Sequence, residues 1–201
     1  MTDHMAAIEA NIETAGAYVL YEGYFVFMFG FGSHHPANEL GIVRFGGHRE
    51  AGETAIECVR REVKEESSLD VTFFENQAIY MENDHGNGYD RTKGSQRVHP
   101  ILISRREENR FSAMYLAHGH GSLVPGAETQ GVLFLRREDL GMICSRDTTL
   151  REYTENGGKL LLAGDLPESA VLSPHTQIRF LNRLFTLEEK LLTDYTASYE
   201  N

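Results

Sequence analysis

The sequence predicts an α/β (α+β) chain: a mixed β-sheet with α-helices on its faces. Short runs dense in Val, Tyr and Phe, bounded by glycine, proline or charged residues, recur between Ala17 and Leu135 and read as strands. Segments with helical periodicity interrupt and follow them, and this irregular alternation points to a mixed sheet. With 201 residues, 41% hydrophobic and 24% charged, the chain can bury a sizeable core. One domain over 1–201 is expected, with a C-terminal helical extension from about 165.

The first strands are Ala17–Tyr21 and Tyr24–Phe29, joined by a tight turn, and Pro36 marks the loop that follows. Glu39 to Phe45 forms a short strand leading into a glycine loop, and a helix starts after Thr54. Val71–Met81 has strand character, and Glu82 to Gln96 reads as a polar loop. Val98–Ser104 and Phe111–Ala117 make a strand pair separated by the charged stretch Arg105–Arg110. Gly131–Leu135 is the last strand, followed by a short helix around Glu138–Ile143. From Thr148 the pattern is helical, then rich in glycine and proline up to Pro174. Gln177 to about Tyr195 reads as one amphipathic helix, which either docks on the domain or forms a homodimer contact.

The helix after Thr54 carries the chemistry. Thr54 and Glu57 have the spacing of a capping box, and Ile56, Val59 and Val63 form an apolar stripe. Beside the stripe, Glu62, Glu65 and Glu66 stand three and four residues apart on one face. Like charges at that spacing repel by roughly 0.2–0.5 kcal/mol per pair, and a hard divalent cation reverses the sign of that cost. Magnesium is the expected ion, with manganese as the alternative. The competing reading is a solvated acidic face balanced by Arg60, Arg61 and Lys64.

The segment Gly47 to Leu69 resembles the signature of the Nudix hydrolase family, G-x5-E-x7-R-E-U-x-E-E-x-G-U, where U is a bulky aliphatic residue. Gly47, Glu53, Arg61, Glu62, Val63, Glu65, Glu66 and Leu69 all match, and Ser68 replaces the second glycine. That glycine would be a left-handed C-cap, so the departure concerns the helix end and removes no metal ligand. The resemblance implies the Nudix fold and a hydrolase that cleaves a phosphoanhydride in a nucleoside diphosphate linked to another moiety. It implies Glu62, Glu65 and Glu66 as metal ligands, with Glu53 either completing the metal site or pairing with Arg61. On the substrate side it points to Gly46, Gly47 and Glu128, the last in a loop of the kind that brings a further acidic residue to the site in many members. The alternative is a Nudix-fold module that senses a nucleotide without cleaving it. Such proteins often lose the signature's glutamates or add a DNA-binding domain, and neither feature is evident here.

The formal net charge of −11 argues against a generic nucleic-acid binder. The longest apolar run, Ala17 to Phe31, is too short for a membrane span and is broken by Glu22 and Gly23, and no signal peptide precedes it. Cys58 and Cys144 lack any paired spacing and read as free thiols of a cytoplasmic protein. A nucleotide-type small molecule is the expected partner. Subfamily markers are missing: there is no Ser-Gln-Pro-Trp array, no upstream coenzyme A motif, and the first proline after the signature is Pro100. Tyr89, Arg91 and Lys93 could stack a base and hold a phosphate or be ordinary loop residues, while His34, His35, His118 and His120 lack a matching third ligand for zinc.

Overall fold

Glu22 and Gly23 both adopt positive φ, 50° and 78°, and turn the chain between β1 (Ile12–Tyr21) and β2 (Tyr24–Gly30). The computed structural model describes residues 7–31, 36, 38–83, 88–94, 97–107, 109–127 and 129–199. β1 starts at Ile12 instead of Ala17, because its less apolar first half is held by pairing on both sides. One neighbour is β9 (Arg110–His120), in parallel, and the other is β4 (Phe45–His48), antiparallel.

The remaining strands are β3 (Glu39–Val43), β5 (Asp70–Phe73), β6 (Ala78–Glu82), β7 (Tyr89–Lys93), β8 (Leu102–Glu107), β10 (Gly131–Leu135), β11 (Lys159–Leu162) and β12 (Val171–Pro174). Among the described residues they form one mixed sheet, whose main path runs β11-β10-β2-β1-β9-β8-β6-β7. β1–β9, β6–β8 and β3–β12 are parallel pairs, and the other pairings between strands are antiparallel.

Helices cover the sheet: residues 7–10 are helical, and after them come α1 (Ala55–Ser67), α2 (Arg137–Ser145), α3 (Leu150–Glu155), α4 (Thr176–Leu187) and α5 (Glu189–Ala197). Alternation along β1 sorts its side chains between two cores. Ala15, Ala17 and Val19 share one with Cys58, Val59 and Val63 of α1. Tyr18 and Leu20 share the other with Leu140, Tyr153, Ile178 and Leu181, from α2, α3 and α4. Val59 and Val63 are fully buried, each contributing about 1.5–3 kcal/mol, so α1 is pinned by its stripe and presents its glutamates beside it.

Both ends of α1 follow local chemistry. Thr54 and Glu57 form the reciprocal capping box, and Ser68 adopts φ 62° and ψ 5°, the left-handed cap expected where the signature has glycine. Ser68→Gly is therefore expected to raise stability by up to about 1 kcal/mol with turnover nearly unchanged. Thermal melts and a kcat measurement check it; a large change in turnover at constant melting temperature would assign the serine a chemical role.

Several elements differ from the sequence expectation, and in each the missing information is a distant partner. Val71–Met81 is two strands: β5 pairs with β9, while β6 pairs with β7 and β8. The polar stretch 82–96 contains β7, which makes a hairpin with β6. Arg105 to Glu107 continue β8, and the chain turns at Asn109, φ 59°. The segment up to Pro174 holds two short strands, β11 on β10 and β12 on β3. The final amphipathic stretch is broken at Glu188 (φ −137°, ψ 51°), whose carboxylate receives the Tyr80 hydroxyl and the Arg91 guanidinium. Both resulting helices dock on the same chain, and the Tyr195 hydroxyl lies 2.8 Å from the Tyr18 carbonyl and 2.6 Å from that of Ala117. The stretch from 165 onward thus adds β12 to the sheet and α4 and α5 to the core. No helix among the described residues is long and apolar enough to cross a membrane.

Candidate active site

The site is assembled where β4 leads through the loop His48–Thr54 into α1. Arg61 grips this loop from the helix: its Nε and Nη2 donate to the two carboxylate oxygens of Glu53, each at 3.0 Å, and Nη2 also donates to the His48 carbonyl at 3.0 Å. The Arg61 guanidinium holds the Glu53 carboxyl below its ordinary range, and the pair in turn holds Arg61 firmly protonated. Arg49 secures the same loop from the other side, donating to the backbone carbonyls of Glu53 and Ile12.

Arg61 also reaches toward the acidic face, with Nη1 2.8 Å from Glu62 and 3.2 Å from Glu65. Glu66 turns the other way and accepts the Gly46 N–H at 2.7 Å. Gly47 lies directly against Glu62: a Cβ there would stand 2.3 Å from the carboxylate. The two glycines thus act on the glutamates, one through its amide and the other through the space it leaves. Glu62, Glu65 and Glu66 share a cavity of about 260 Å³ with Gly126 and Thr129. Within it the carboxylates are drawn toward the nearest positive groups, Arg61 and the Gly46 amide. Among the described residues no group of three or more His, Cys, Asp or Glu side chains is placed to hold a metal ion.

One wall of that cavity is the loop after β9. Its Val124 and Gly126 N–H groups donate to the carbonyls of Ser67 and Glu66 at 2.9 and 2.8 Å, satisfying acceptors that the end of α1 leaves open. A Cβ at Gly126 would lie 3.0 Å from the Glu65 carbonyl, a tight approach that a side chain could take only if the end of α1 gave by a few tenths of an ångström. Glu128 lies outside the described residues; its neighbours Ala127 and Thr129 line the cavity.

Other sequence candidates have structural partners elsewhere. Tyr89 packs edge-on against Phe180 at 4.7 Å, and Arg91 pairs with Glu188, so both fasten the β6–β7 hairpin to the C-terminal helices. His118 stacks on Tyr195 and its pKa is lowered by burial, whereas His120 bonds to Thr72. The two imidazoles therefore serve different contacts, and His34 and His35 lie outside the described residues. Cys58 and Cys144 are free; the Cys58 thiol is buried and pushed up to about 11, chiefly by desolvation and then by Glu53, which leaves it protonated and inert.

Beside the glutamates opens a second cavity of about 510 Å³, which shares Glu66 and Met28 with the first. Arg44, Arg106 and Ser112 line it, and sequence reading passed over all three because none belongs to a motif. The available signal was Arg44 itself, a charged residue inside the apolar run Leu40–Phe45.

The NUDIX domain family model matches residues 14–152. Among solved structures, a NUDIX-family hydrolase from Clostridium perfringens is 20% identical, covering 65% of this chain and 85% of its own, with a TM-score of 0.45. A NUDIX hydrolase from Nitrosomonas europaea is 12% identical over 89% of this chain and 73% of its own, TM-score 0.46. A putative nudix hydrolase family member from Chromobacterium violaceum is 13% identical over 95% and 97%, TM-score 0.42. No curated protein sequence matches significantly.

Proposed function

The chain belongs to the NUDIX domain family, and from that membership we propose that it is a pyrophosphohydrolase cleaving the phosphoanhydride of a nucleoside diphosphate linked to a further moiety. The observation that carries the reading is the glutamate cavity, which collects Glu62, Glu65 and Glu66 beside the two glycines of β4. Its donors are carboxylate oxygens, a set that suits magnesium, with manganese as the alternative. Glu62, Glu65 and Glu66 would hold the ion, which when bound neutralises phosphate charge and lowers the pKa of the attacking water.

The protein's own contribution is placement. Arg61 and Glu53, joined by two hydrogen bonds, act as positioning residues that keep the loop on the helix; this engagement favours Glu53 as a clamp over Glu53 as a ligand. Gly46 and Gly47 then stay where Glu66 and Glu62 require them. Uptake of the water's proton belongs to the carboxylates as a coupled set, and Glu128, between two cavity-lining residues, is a candidate additional member. The two free cysteines support a reducing compartment, the cytoplasm.

The test is a magnesium-dependent screen over nucleoside triphosphates, nucleotide sugars, ADP-ribose, dinucleoside polyphosphates and capped RNA, reading released phosphate or mononucleotide. Turnover of at least one that stops with chelator is expected. Tight binding of one nucleotide with no turnover on any of them would replace the hydrolase with a sensor.

A further inference from the structure

The cavity of about 510 Å³ borders the glutamate site at Glu66 and Gly46, and hydroxyl and guanidinium groups outside that site make up most of its polar wall. Three hydroxyl residues stand in register on neighbouring strands: Thr14 of β1 is opposite Ser112 of β9, and Ser112 is opposite Ser104 of β8. All three line the cavity. Thr14 and Ser112 are 3% and 5% exposed, and the Ser112 hydroxyl is buried without a hydrogen-bond partner. Leaving such a group unpaired away from water is costly, so its presence on a cavity wall points to a ligand atom.

Arg44 supplies a second, independent sign. Its side chain crosses the sheet through space left by two glycines: a Cβ on Gly16 would lie 2.5 Å from its Cδ, and one on Gly46 would lie 2.8 Å from its Nη1. Arg44 Nε is likewise buried with no hydrogen-bond partner. Desolvation lowers the pKa of this guanidinium, the cost of holding a cation in a confined space, and the neighbouring Glu66 charge only partly opposes it. On β8 the register shifts between Arg105 and Glu107, and the consecutive residues Arg105 and Arg106 both line the cavity.

The N-terminal turn of the twelve-residue helix α4 closes the space. Thr176 and Gln177, the first residues of the helix, line it, which places the positive end of the helix at the same cavity. Glu66 and Glu82 also line it, two carboxylates against three guanidinium groups and a helix terminus. No aromatic side chain stands among the described lining residues, so the recognition elements are charge and hydroxyl hydrogen bonding, with no ring for stacking.

We propose that this cavity is a phosphate subsite: it receives a phosphate-bearing, non-aromatic part of the substrate that lies next to the diphosphate handled by the glutamates. This rests on the pyrophosphohydrolase reading and narrows it, selecting substrates whose second moiety ends in a phosphate over those ending in a bare nucleoside. The phosphate can sit on a sugar or at the end of a polyphosphate tail. Arg44 and the in-register hydroxyls would contact it directly, and the end of α4 would add its field.

Isothermal titration in EDTA with tripolyphosphate, ribose 5-phosphate and adenosine separates these cases without requiring turnover. The wild type is expected to bind at least one phosphate probe saturably and to prefer it to adenosine. Arg44→Met should weaken that binding at least about tenfold, as expected for loss of a charge-assisted contact. Ser112→Ala should weaken it by about threefold or more without lowering the melting temperature, since the hydroxyl it removes has no partner in the protein. Ribose 5-phosphate binding supports a phosphorylated sugar, and tripolyphosphate binding alone supports a polyphosphate tail. Glu65→Gln does not touch this cavity, so loss of turnover with undiminished probe affinity would support the two sites separately. A wild type that binds the probes without hydrolysing anything removes the hydrolase reading and supports the subsite. If neither phosphate probe binds, if Ser112→Ala leaves the affinity unchanged, or if adenosine is preferred, the subsite is overturned; should Arg44→Met fail to fold, the Ser112→Ala result decides alone.

Discussion

Glu66→Gln lowers kcat on the best screened substrate at least about a hundredfold, and Glu65→Gln does the same, while both keep their melting temperature in EDTA. The fall follows from losing a carboxylate that stabilises developing charge on the transferring phosphoryl group, an effect worth about 2.7–4 kcal/mol for comparable electrostatic groups. Stability should survive for reasons specific to each residue. Glutamine at 66 keeps an oxygen that can accept the Gly46 N–H, and the relief of repulsion from Glu62 one turn away offsets the lost attraction to the buried Arg44 guanidinium. The Glu65 side chain is 60% exposed, and its 3.2 Å contact with Arg61 is a surface pair worth at most about 1 kcal/mol. Turnover and thermal melts on the same preparations give the answer. If either variant unfolds in EDTA, its carboxylate is a structural element and its proposed catalytic role is lost.

Adjacent glycines should fail in different ways. At Gly46, φ is 140°, and an added Cβ would meet backbone, lying 2.3 Å from the Ala15 carbonyl and 2.4 Å from Gly16 Cα. Neither atom can move without separating β1 from β4, so Gly46→Ala is expected to destabilise the protein by about 3 kcal/mol or more and to abolish activity through the fold. At Gly47 the three atoms the same methyl meets first all belong to the end of the Glu62 side chain, the nearest 2.3 Å away, and that group can rotate aside at a cost of about 1 kcal/mol. Gly47→Ala should therefore melt near the wild type yet lose about a hundredfold in kcat, because the displaced group is a proposed metal ligand. Denaturant melts paired with turnover distinguish the two. Equal stability loss at both positions would mean that Gly47 serves the fold; full activity in Gly47→Ala would remove Glu62 from the machinery.

Features governed by local spacing were legible from the chain alone. The order of glycine, arginine and glutamates from Gly47 to Leu69 identifies the family, Thr54 and Glu57 set the start of α1, and the left-handed cap at Ser68 follows from the glycine it replaces. Gly131–Leu135 was likewise recognisable as a strand, since a short apolar run buried on both faces needs no partner to be seen. Each of these depends on neighbours within a few turns of the same element. β7, β11 and β12 were invisible because their residues are strand-forming only once β6, β10 and β3 supply the missing hydrogen bonds. The break at Glu188 shows no glycine or proline; it coincides with contacts from Tyr80 and Arg91, about a hundred residues away in the chain. Pairing of Arg61 with Glu53 was one of two options in the sequence, and only the folded loop brings the two side chains to 3.0 Å. The row Thr14, Ser112 and Ser104 lay furthest from view, because strand register places three hydroxyls side by side that sequence separates by up to 98 positions. Tertiary structure alone decides that row, since register is a property of the paired strands and no single strand encodes it.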